Sequence, residues 1–145
     1  MSISSIHEWH RRARPSPDSK AFNVQLGCHF EEIAEMLEEL NGESGESYEI
    51  LVRVNAAVHE LANALKRGEV SMHVRDREGF LDSLADQIVA AAGVAHCAHM
   101  NITEATHRVD ESNWSKFVVG RPHFDSNGKI AKPETYRKPD LSGCY

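Results

Sequence analysis

One stretch of apolar residues at helical spacing constrains the fold more than any other part of the chain. Between Phe22 and Leu40 the apolar positions are Phe22, Leu26, Phe30, Ile33, Leu37 and Leu40. This spacing places them on one face of an α-helix, so the stretch predicts a long amphipathic helix. Asn41 and Gly42 follow directly and are a usual C-terminal signal.

Three carboxylates border this apolar stripe. Glu32 and Glu35 lie one helical turn apart, so both can reach the same point beside the helix. Glu31 adjoins them, and Gln25 stands two turns before Glu32 on nearly the same line. A divalent cation would relieve the repulsion among the carboxylates. The competing interpretation is an ordinary solvated face, because Glu is a good helix former.

Three further segments have helical periodicity. They run from about Ser47 to Arg67, from about Glu78 to His99 and from about Ile102 to Phe117. Ser47 is the expected N-cap of the first segment, and Gly68 is expected to end it.

The segment from Glu78 to His99 carries both apolar and acidic signals. Its apolar residues are numerous enough for the helix to be nearly buried. Asp82 and Asp86 nevertheless stand four residues apart on one face, although Asp is a poor interior helix residue. Gly93 lies two turns beyond Asp86, where close approach of another helix or a ligand would explain a helix-weakening glycine. The competing interpretation of the Asp pair is a half-exposed helix edge.

The two ends of the chain are less regular. Residues 1–20 are expected to hold a short helix from Ile3 to Arg14 and then a linker. Residues 118–145 contain three prolines and an Asn127–Gly128 turn signal, which favour an extended tail. We therefore predict one all-α domain over residues 1–145, a bundle of about four main helices with an extended C-terminal tail.

Composition and charge narrow the classes of function. The 145 residues are 41% hydrophobic and 26% charged, as in ordinary globular domains. No apolar run reaches the length of about 18 residues that a membrane span needs. The net charge of -6 argues against binding a nucleic-acid polymer. Three cysteines without a pairing motif favour a reducing, cytoplasmic setting.

The charge is unevenly spread along the chain. Residues 114–145 have six Lys or Arg against three Asp or Glu, which leaves ten against nineteen upstream. An acidic helical body with a basic tail suits a phosphate chain that is chelated to a metal. Facing carboxylates on two antiparallel helices are typical of metal sites in bundles. Hard oxygen ligands suit Mg²⁺ or Mn²⁺ rather than zinc.

The order of the motifs resembles that of the all-α nucleoside triphosphate pyrophosphohydrolases. These are the MazG-like enzymes, related to dimeric dUTPases and phosphoribosyl-ATP pyrophosphohydrolase. The matching stretches are EEIAE at 31–35, LDSLADQIVAAAGVAH at 81–96, SNWSKF at 112–117 and FDSNGKIAKPETYRKPDL at 124–141. The tail is most similar to phage and bacterial members. The departure is Ser83, where the family usually has Glu; Asp82 still shares a helix face with Asp86.

The resemblance implies a role for each matched residue. Glu32, Glu35 and Asp86 would ligate Mg²⁺, which Mn²⁺ can replace, and Asp82 would be a fourth ligand, direct or through water. Glu31 would orient or deprotonate the attacking water. The residues that would meet the substrate are Gln25, Asn113, Lys116, Lys129, Lys132 and Arg137. For each lysine or arginine of the tail, ordinary surface charge is the competing interpretation.

We therefore expect a Mg²⁺-dependent nucleoside triphosphate pyrophosphohydrolase, which is a hydrolase acting on acid anhydrides. It would cleave the α–β phosphoanhydride to give a nucleoside monophosphate and pyrophosphate. It would assemble as a homodimer or homotetramer, because its helices have more apolar surface than a small bundle buries alone. The alternative is a non-catalytic helical nucleotide-binding or assembly module on the same scaffold, which the departure at Ser83 favours.

Overall fold

The computed structural model describes residues 3–145 and confirms a mostly helical chain. Its helices are α1 (Ile3–Ala13), α2 (Ser19–Glu38), α3 (Gly45–Arg67), α4 (Arg77–Cys97) and α5 (Ile102–Trp114). Strands β1 (Phe117–Val118) and β2 (Arg121–Pro122) then pair antiparallel. No helix within this described part is long and apolar enough to cross a membrane.

The chain is divided into two compact units. The first, termed the hairpin unit, consists of Ser16–His73 and Phe124–Lys129, and so contains α2, α3 and a loop near the C-terminus. The second, termed the α5 unit, consists of Met1–Pro15, Val74–His123 and Ile130–Tyr145. The single domain predicted over the whole chain stays a prediction.

Both helices of the hairpin unit begin at capped ends. The Asp18 side chain accepts a hydrogen bond from the backbone N–H of Ala21 and so caps α2. The N-cap of α3 is Ser44 and not the predicted Ser47. Ser47 instead completes a capping box, because its hydroxyl accepts a hydrogen bond from the Ser44 backbone N–H. As predicted, α3 ends at Gly68, which has a φ of 71°.

Small residues allow α2 and α3 to pack closely. Ala34 and Ala62 are buried, and Leu65 is the largest fully buried side chain among the described residues. A Cβ built on Gly27 would lie 2.9 Å from the carbonyl oxygen of Ala62, so a larger residue requires a shift. The side-chain amide of Asn55 also donates to the carbonyl of Ala34 at 2.8 Å. The core of this unit therefore lies between its two helices.

In the α5 unit, hydrogen bonds join α1 to α5. Trp9 is buried, and its indole N–H donates to the carbonyl of Asn113 at 2.9 Å. The Ser5 hydroxyl donates to the buried carboxylate of Asp110 at 2.6 Å. Trp9 is therefore a packing residue.

The C-terminal residues lie along α5 with irregular backbone. The Ser112 hydroxyl donates to the carbonyl of Arg137 at 2.6 Å. The Arg108 guanidinium donates to the carbonyls of Asp140 and Ser142 at 2.8 and 2.9 Å. These bonds fix the end of the chain to the side of one helix.

The end of α5 differs from the prediction. The helix stops at Trp114, three residues before Phe117, and a β-hairpin follows in place of irregular chain. Val119 and Gly120 occupy the turn with φ of 51° and 75°. A two-residue hairpin turn favours positive φ at both central positions, and Gly120 adopts such a conformation at no steric cost.

The predicted burial of α4 is wrong. Ala95 is its only buried residue, while its large apolar side chains Leu81, Ile88, Val89 and Val94 are exposed. No atom lies within 4 Å of a Cβ built on Gly93. The reason is that burial requires a facing surface, which the described residues of the α5 unit do not supply to this side of α4.

Candidate functional site

Glu31 lies half-buried on α2 and pairs with two lysines of the hairpin unit. Lys66, near the end of α3, donates to Oε1, and Lys129 donates to Oε2 at 2.6 Å. Partial burial acts to raise the pKa of Glu31, but the hydrogen bonds from the two lysines outweigh it and lower the pKa. Glu31 is therefore ionised at neutral pH, with both oxygens engaged.

A tight turn places Lys129 beside Glu31. The Asp125 carboxylate accepts hydrogen bonds from the backbone N–H groups of Asn127 and Lys129, both at 2.9 Å. The Asp125 N–H donates in return to the Lys129 carbonyl at 2.8 Å. Partial burial acts to lower the pKa of Lys129, but the Glu31 carboxylate outweighs it and raises the pKa. The turn predicted from Asn127–Gly128 thus presents a charged ammonium group to α2.

The other carboxylates of the predicted metal site are exposed. Glu32 and Glu35 lie on α2 in the hairpin unit, whereas Asp82 and Asp86 lie on α4 in the α5 unit. None of the four side-chain carboxylates makes a hydrogen bond or ion pair within residues 3–145. The same residues contain no group of three or more His, Cys, Asp or Glu side chains that could hold a metal ion. Each carboxylate is nevertheless a free hard-oxygen donor, which fits Mg²⁺ chemically.

Two predicted substrate-binding lysines of the α5 unit lie beside one aromatic ring, and the predicted residue Asn113 bonds one of them. Lys116 Nζ donates to the side-chain carbonyl of Asn113 at 2.7 Å and lies 5.7 Å from the centre of the Tyr136 ring. Lys132 Nζ lies 5.1 Å from the same ring centre. Aromatic faces attract such cations. The cluster therefore concentrates two positive charges beside an amide, an arrangement that attracts an anion.

The remaining predicted residues are not members of this cluster. Gln25 is exposed on α2, one element of the hairpin unit, and Lys129 is engaged with Glu31 in that unit. Arg137 contributes its backbone to the bonds that hold the tail on α5, and its side chain lies on the wall of a surface cleft there.

Sequence reasoning missed two residues, Lys66 and Tyr136. Lys66 suited the last turn of α3, which explained it without a partner. The available signal was Gly27, one turn before Glu31, because a glycine inside a helix indicates close approach of another element. A Cβ on Gly27 would lie 2.8 Å from Lys66 Cγ, so this glycine marks the place where Lys66 passes. No local signal singles out Tyr136.

Comparison with known proteins adds no family to these observations. The chain matches no protein-family model, no curated protein sequence and no solved structure. The functional argument therefore starts from the carboxylates of α2 and α4 and the lysines described above.

Proposed function

We propose that this chain is a Mg²⁺-dependent nucleoside triphosphate pyrophosphohydrolase. The observation that carries the proposal is the difference between neighbouring carboxylates on α2. Glu31 is held by two lysines, whereas Glu32 and Glu35 are exposed, unpaired and one turn apart. Unpaired carboxylates on adjacent turns are suited to a hard cation, and Mg²⁺ takes phosphates as its further ligands. The order of the acidic motifs and the SNWSKF stretch supports the choice of reaction.

Glu32, Glu35 and Asp86 hold the ion in this proposal, with Asp82 as a further carboxylate. Bound Mg²⁺, or Mn²⁺ in its place, would neutralise phosphate charge and lower the pKa of water. The lowered pKa of Glu31 makes it a weak proton acceptor. Its role is therefore to orient the attacking water more than to deprotonate it.

Each oxygen of the Glu31 carboxylate accepts one lysine and keeps a further acceptor position for water, and departure of one lysine would open another. The side chain of Lys129 is 45% exposed and that of Lys66 is 16% exposed, so Lys129 is the one that can move. A substrate phosphate offers the Lys129 ammonium group a second anionic partner close to the first. Lys129 would thus exchange the carboxylate for the phosphate as the substrate binds.

Lys116 and Lys132 supply the positive charge for the leaving pyrophosphate, and the side-chain carbonyl of Asn113 holds Lys116 in position. Preorganised donors stabilise charge that develops during reaction, because no further reorganisation is needed. The hydrogen bond from Lys116 to Asn113 and the Tyr136 ring hold the two lysines in place before any substrate arrives.

A homodimer or homotetramer is part of the proposal, and the exposed apolar side chains of α4 support it. Surface of this kind is normally covered by another molecule. Light scattering tests the assembly: a mass of one chain, 16.2 kDa, at micromolar concentration with activity retained would contradict it. A cytoplasmic location, where Cys28, Cys97 and Cys144 stay reduced, belongs to the same proposal.

Release of pyrophosphate from a panel of nucleoside triphosphates tests the activity. Turnover is expected with Mg²⁺ or Mn²⁺ and not with EDTA. Glu35→Gln should abolish turnover and weaken Mg²⁺ binding while the helical circular dichroism is kept. Glu60→Gln is the matched control, because it removes the same charge from an exposed position on α3. Full activity in Glu35→Gln would refute the metal assignment.

The second candidate is a non-catalytic nucleotide-binding or assembly module on the same scaffold. Ser83 at the usual Glu position favours it, as does the lack of a gathered metal-binding group in residues 3–145. Nucleotide binding without turnover under every metal condition of the panel would select this candidate.

A further inference from the structure

A cleft of the hairpin unit is lined by cations and by no carboxylate. It has a volume of about 650 Å³ and lies at the start of α2, the end of α3 and the connection that follows. Its charged or titratable lining residues are Lys20, Lys66, Arg67 and His73, and none of its described lining residues is Asp or Glu. The whole chain has a net charge of -6. The charged lining of this cleft is therefore positive, whereas the net charge of the protein is negative.

The cleft also has an apolar side. The buried residues Val24 and Leu65 lie at its base, and the exposed side chains of Val70 and Met72 line its wall. Two hydrogen bonds fix this wall to α2. The Met72 N–H donates to Asn23 Oδ1 at 2.6 Å, and Asn23 Nδ2 donates to the Met72 carbonyl at 3.3 Å. A wall fixed before binding lowers the entropy cost of binding.

The cations of the cleft can serve a ligand. Arg67 pairs with Glu69 at 3.1 Å, but its side chain is 60% exposed, so most of its N–H donors face solvent. Lys20 is exposed in the first turn of α2, where the helix dipole also favours a negative charge. Lys66 has three ammonium protons and uses one of them in its hydrogen bond to Glu31.

A smaller cleft of the same unit continues this surface. It has a volume of about 320 Å³, shares Lys66 and Arg67 with the larger one, and extends to Lys129. Asp125 also lines it, but the carboxylate accepts the backbone N–H groups of its own turn. The row of cations is therefore long enough to favour an anion with more than one phosphate.

We propose that the larger cleft binds a phosphorylated small molecule without a divalent cation. The phosphates lie against Lys20, Lys66 and Arg67, and the apolar part of the ligand lies against Val70 and Met72. The volume falls within the roughly 300–1,000 Å³ of small-molecule sites. Binding needs no metal, because the described lining of the cleft has cations and no carboxylate. Binding in this cleft thus needs no Mg²⁺, unlike the proposed hydrolysis, although Lys66 of the cleft also contacts Glu31.

Isothermal titration calorimetry of the full chain in EDTA at low ionic strength tests the site. The probes are inorganic pyrophosphate, ADP and, as a phosphate-free control, adenosine. Pyrophosphate and ADP should each bind saturably at one per chain, ADP more tightly because of its apolar part, and adenosine should not bind. Arg67→Gln and Lys20→Gln should each weaken pyrophosphate binding about tenfold, as expected when one contact to a charged group is lost.

Arg53→Gln is the matched control, because Arg53 is an exposed arginine of the same helix that lies outside the cleft. Its affinity should stay within about twofold of wild type. Absence of binding in EDTA would overturn the proposal, as would equal losses in Arg53→Gln and Arg67→Gln. Preference for an oligonucleotide over pyrophosphate would also overturn it, since the surface would then serve a polymer.

Calorimetry in EDTA and the assay of pyrophosphate release in Mg²⁺ together distinguish this site from the proposed activity. Binding in EDTA without turnover in Mg²⁺ supports the cleft and refutes the hydrolase. Turnover in Mg²⁺ without binding in EDTA refutes the cleft and leaves the hydrolase standing.

Discussion

Helices α3 and α4 are similar in length but differ in how deeply their apolar side chains are buried. They have 23 and 21 residues. Leu65 of α3 is 1% exposed, whereas Leu81 of α4 is 68% exposed. The helix that faces α3 carries Gly27 at the point of contact, whereas Gly93 of α4 faces open space. Apolar content therefore does not determine burial, since a helix is buried only where another surface is shaped to receive it.

Leucine-to-alanine changes in α3 and α4 should give the largest difference in stability between the two helices. Leu65→Ala should lower the free energy of unfolding by about 2–5 kcal/mol, because it leaves a cavity between α2 and α3. Leu81→Ala removes the same atoms from an exposed position and should cost less than about 0.5 kcal/mol in a single chain. Urea unfolding at low protein concentration gives both values.

Repeating the Leu81→Ala measurement at rising protein concentration sharpens the comparison. A cost that grows with concentration means that a second copy covers α4, because assembly stabilises by mass action. An equally large cost for both variants at the lowest concentration would show that α4 is covered within one chain, and the contrast would fail.

Glycine-to-alanine changes give the next largest effect. Gly27→Ala would push a methyl group against the carbonyl of Ala62, and it should destabilise by about 1–3 kcal/mol, as overpacking does. Gly93→Ala meets nothing within 4 Å and should stabilise by about 1 kcal/mol through helix propensity. Thermal unfolding of both variants beside wild type is the measurement.

The sign of the Gly93→Ala effect carries additional information about α4. A stabilised monomer that no longer dimerises would show that another copy approaches Gly93 closely. Stabilisation of Gly27→Ala by the same amount would contradict the tight packing of α2 on α3.

The smallest expected effect is a pH dependence from the ion pairs of Glu31. Its folded pKa lies below the ordinary value of 4.5, so its stabilisation is full above that pH. It is lost as the pH falls through the folded pKa. Glu31→Gln should therefore lower stability by about 1 kcal/mol at neutral pH. The gap to wild type should narrow as the pH falls below about 4.5 and close once the pH is below the folded pKa of Glu31.

Asp86→Asn on α4 is the control for this experiment, because Asp86 is exposed and makes no ion pair within residues 3–145. Its melting temperature should follow that of wild type across the acid range. If the gap between Glu31→Gln and wild type stayed constant down to pH 2, the effect would come from packing and not from charge.

Local signals in the sequence predicted local structure well. Gly68 ends α3 because it acts on backbone groups within a few residues. The N-cap of α3 was misplaced because Ser44 and Ser47 both take part in one capping box.

Contacts between residues that are far apart in the sequence could not be predicted from local patterns. Lys66 and Lys129 meet Glu31 across separations of 35 and 98 residues, and helical periodicity carries no information at that range. The exposed face of α4 was misjudged for the same reason, because a pattern predicts an apolar face and does not identify what packs against it.

The loop Phe124–Lys129 has a consequence for the order in which a ribosome completes the molecule. The loop belongs to the hairpin unit, yet α4 and α5 are translated before it. Since translation adds roughly 5–20 residues per second, Lys129 emerges seconds after α2 and α3 can pair. Until then, Lys66 is the only one of the two lysines that can contact Glu31 in the nascent chain. A chain that is truncated before residue 124 would lack the last segment of both units. Such shortened chains should therefore be substrates for chaperones and proteases.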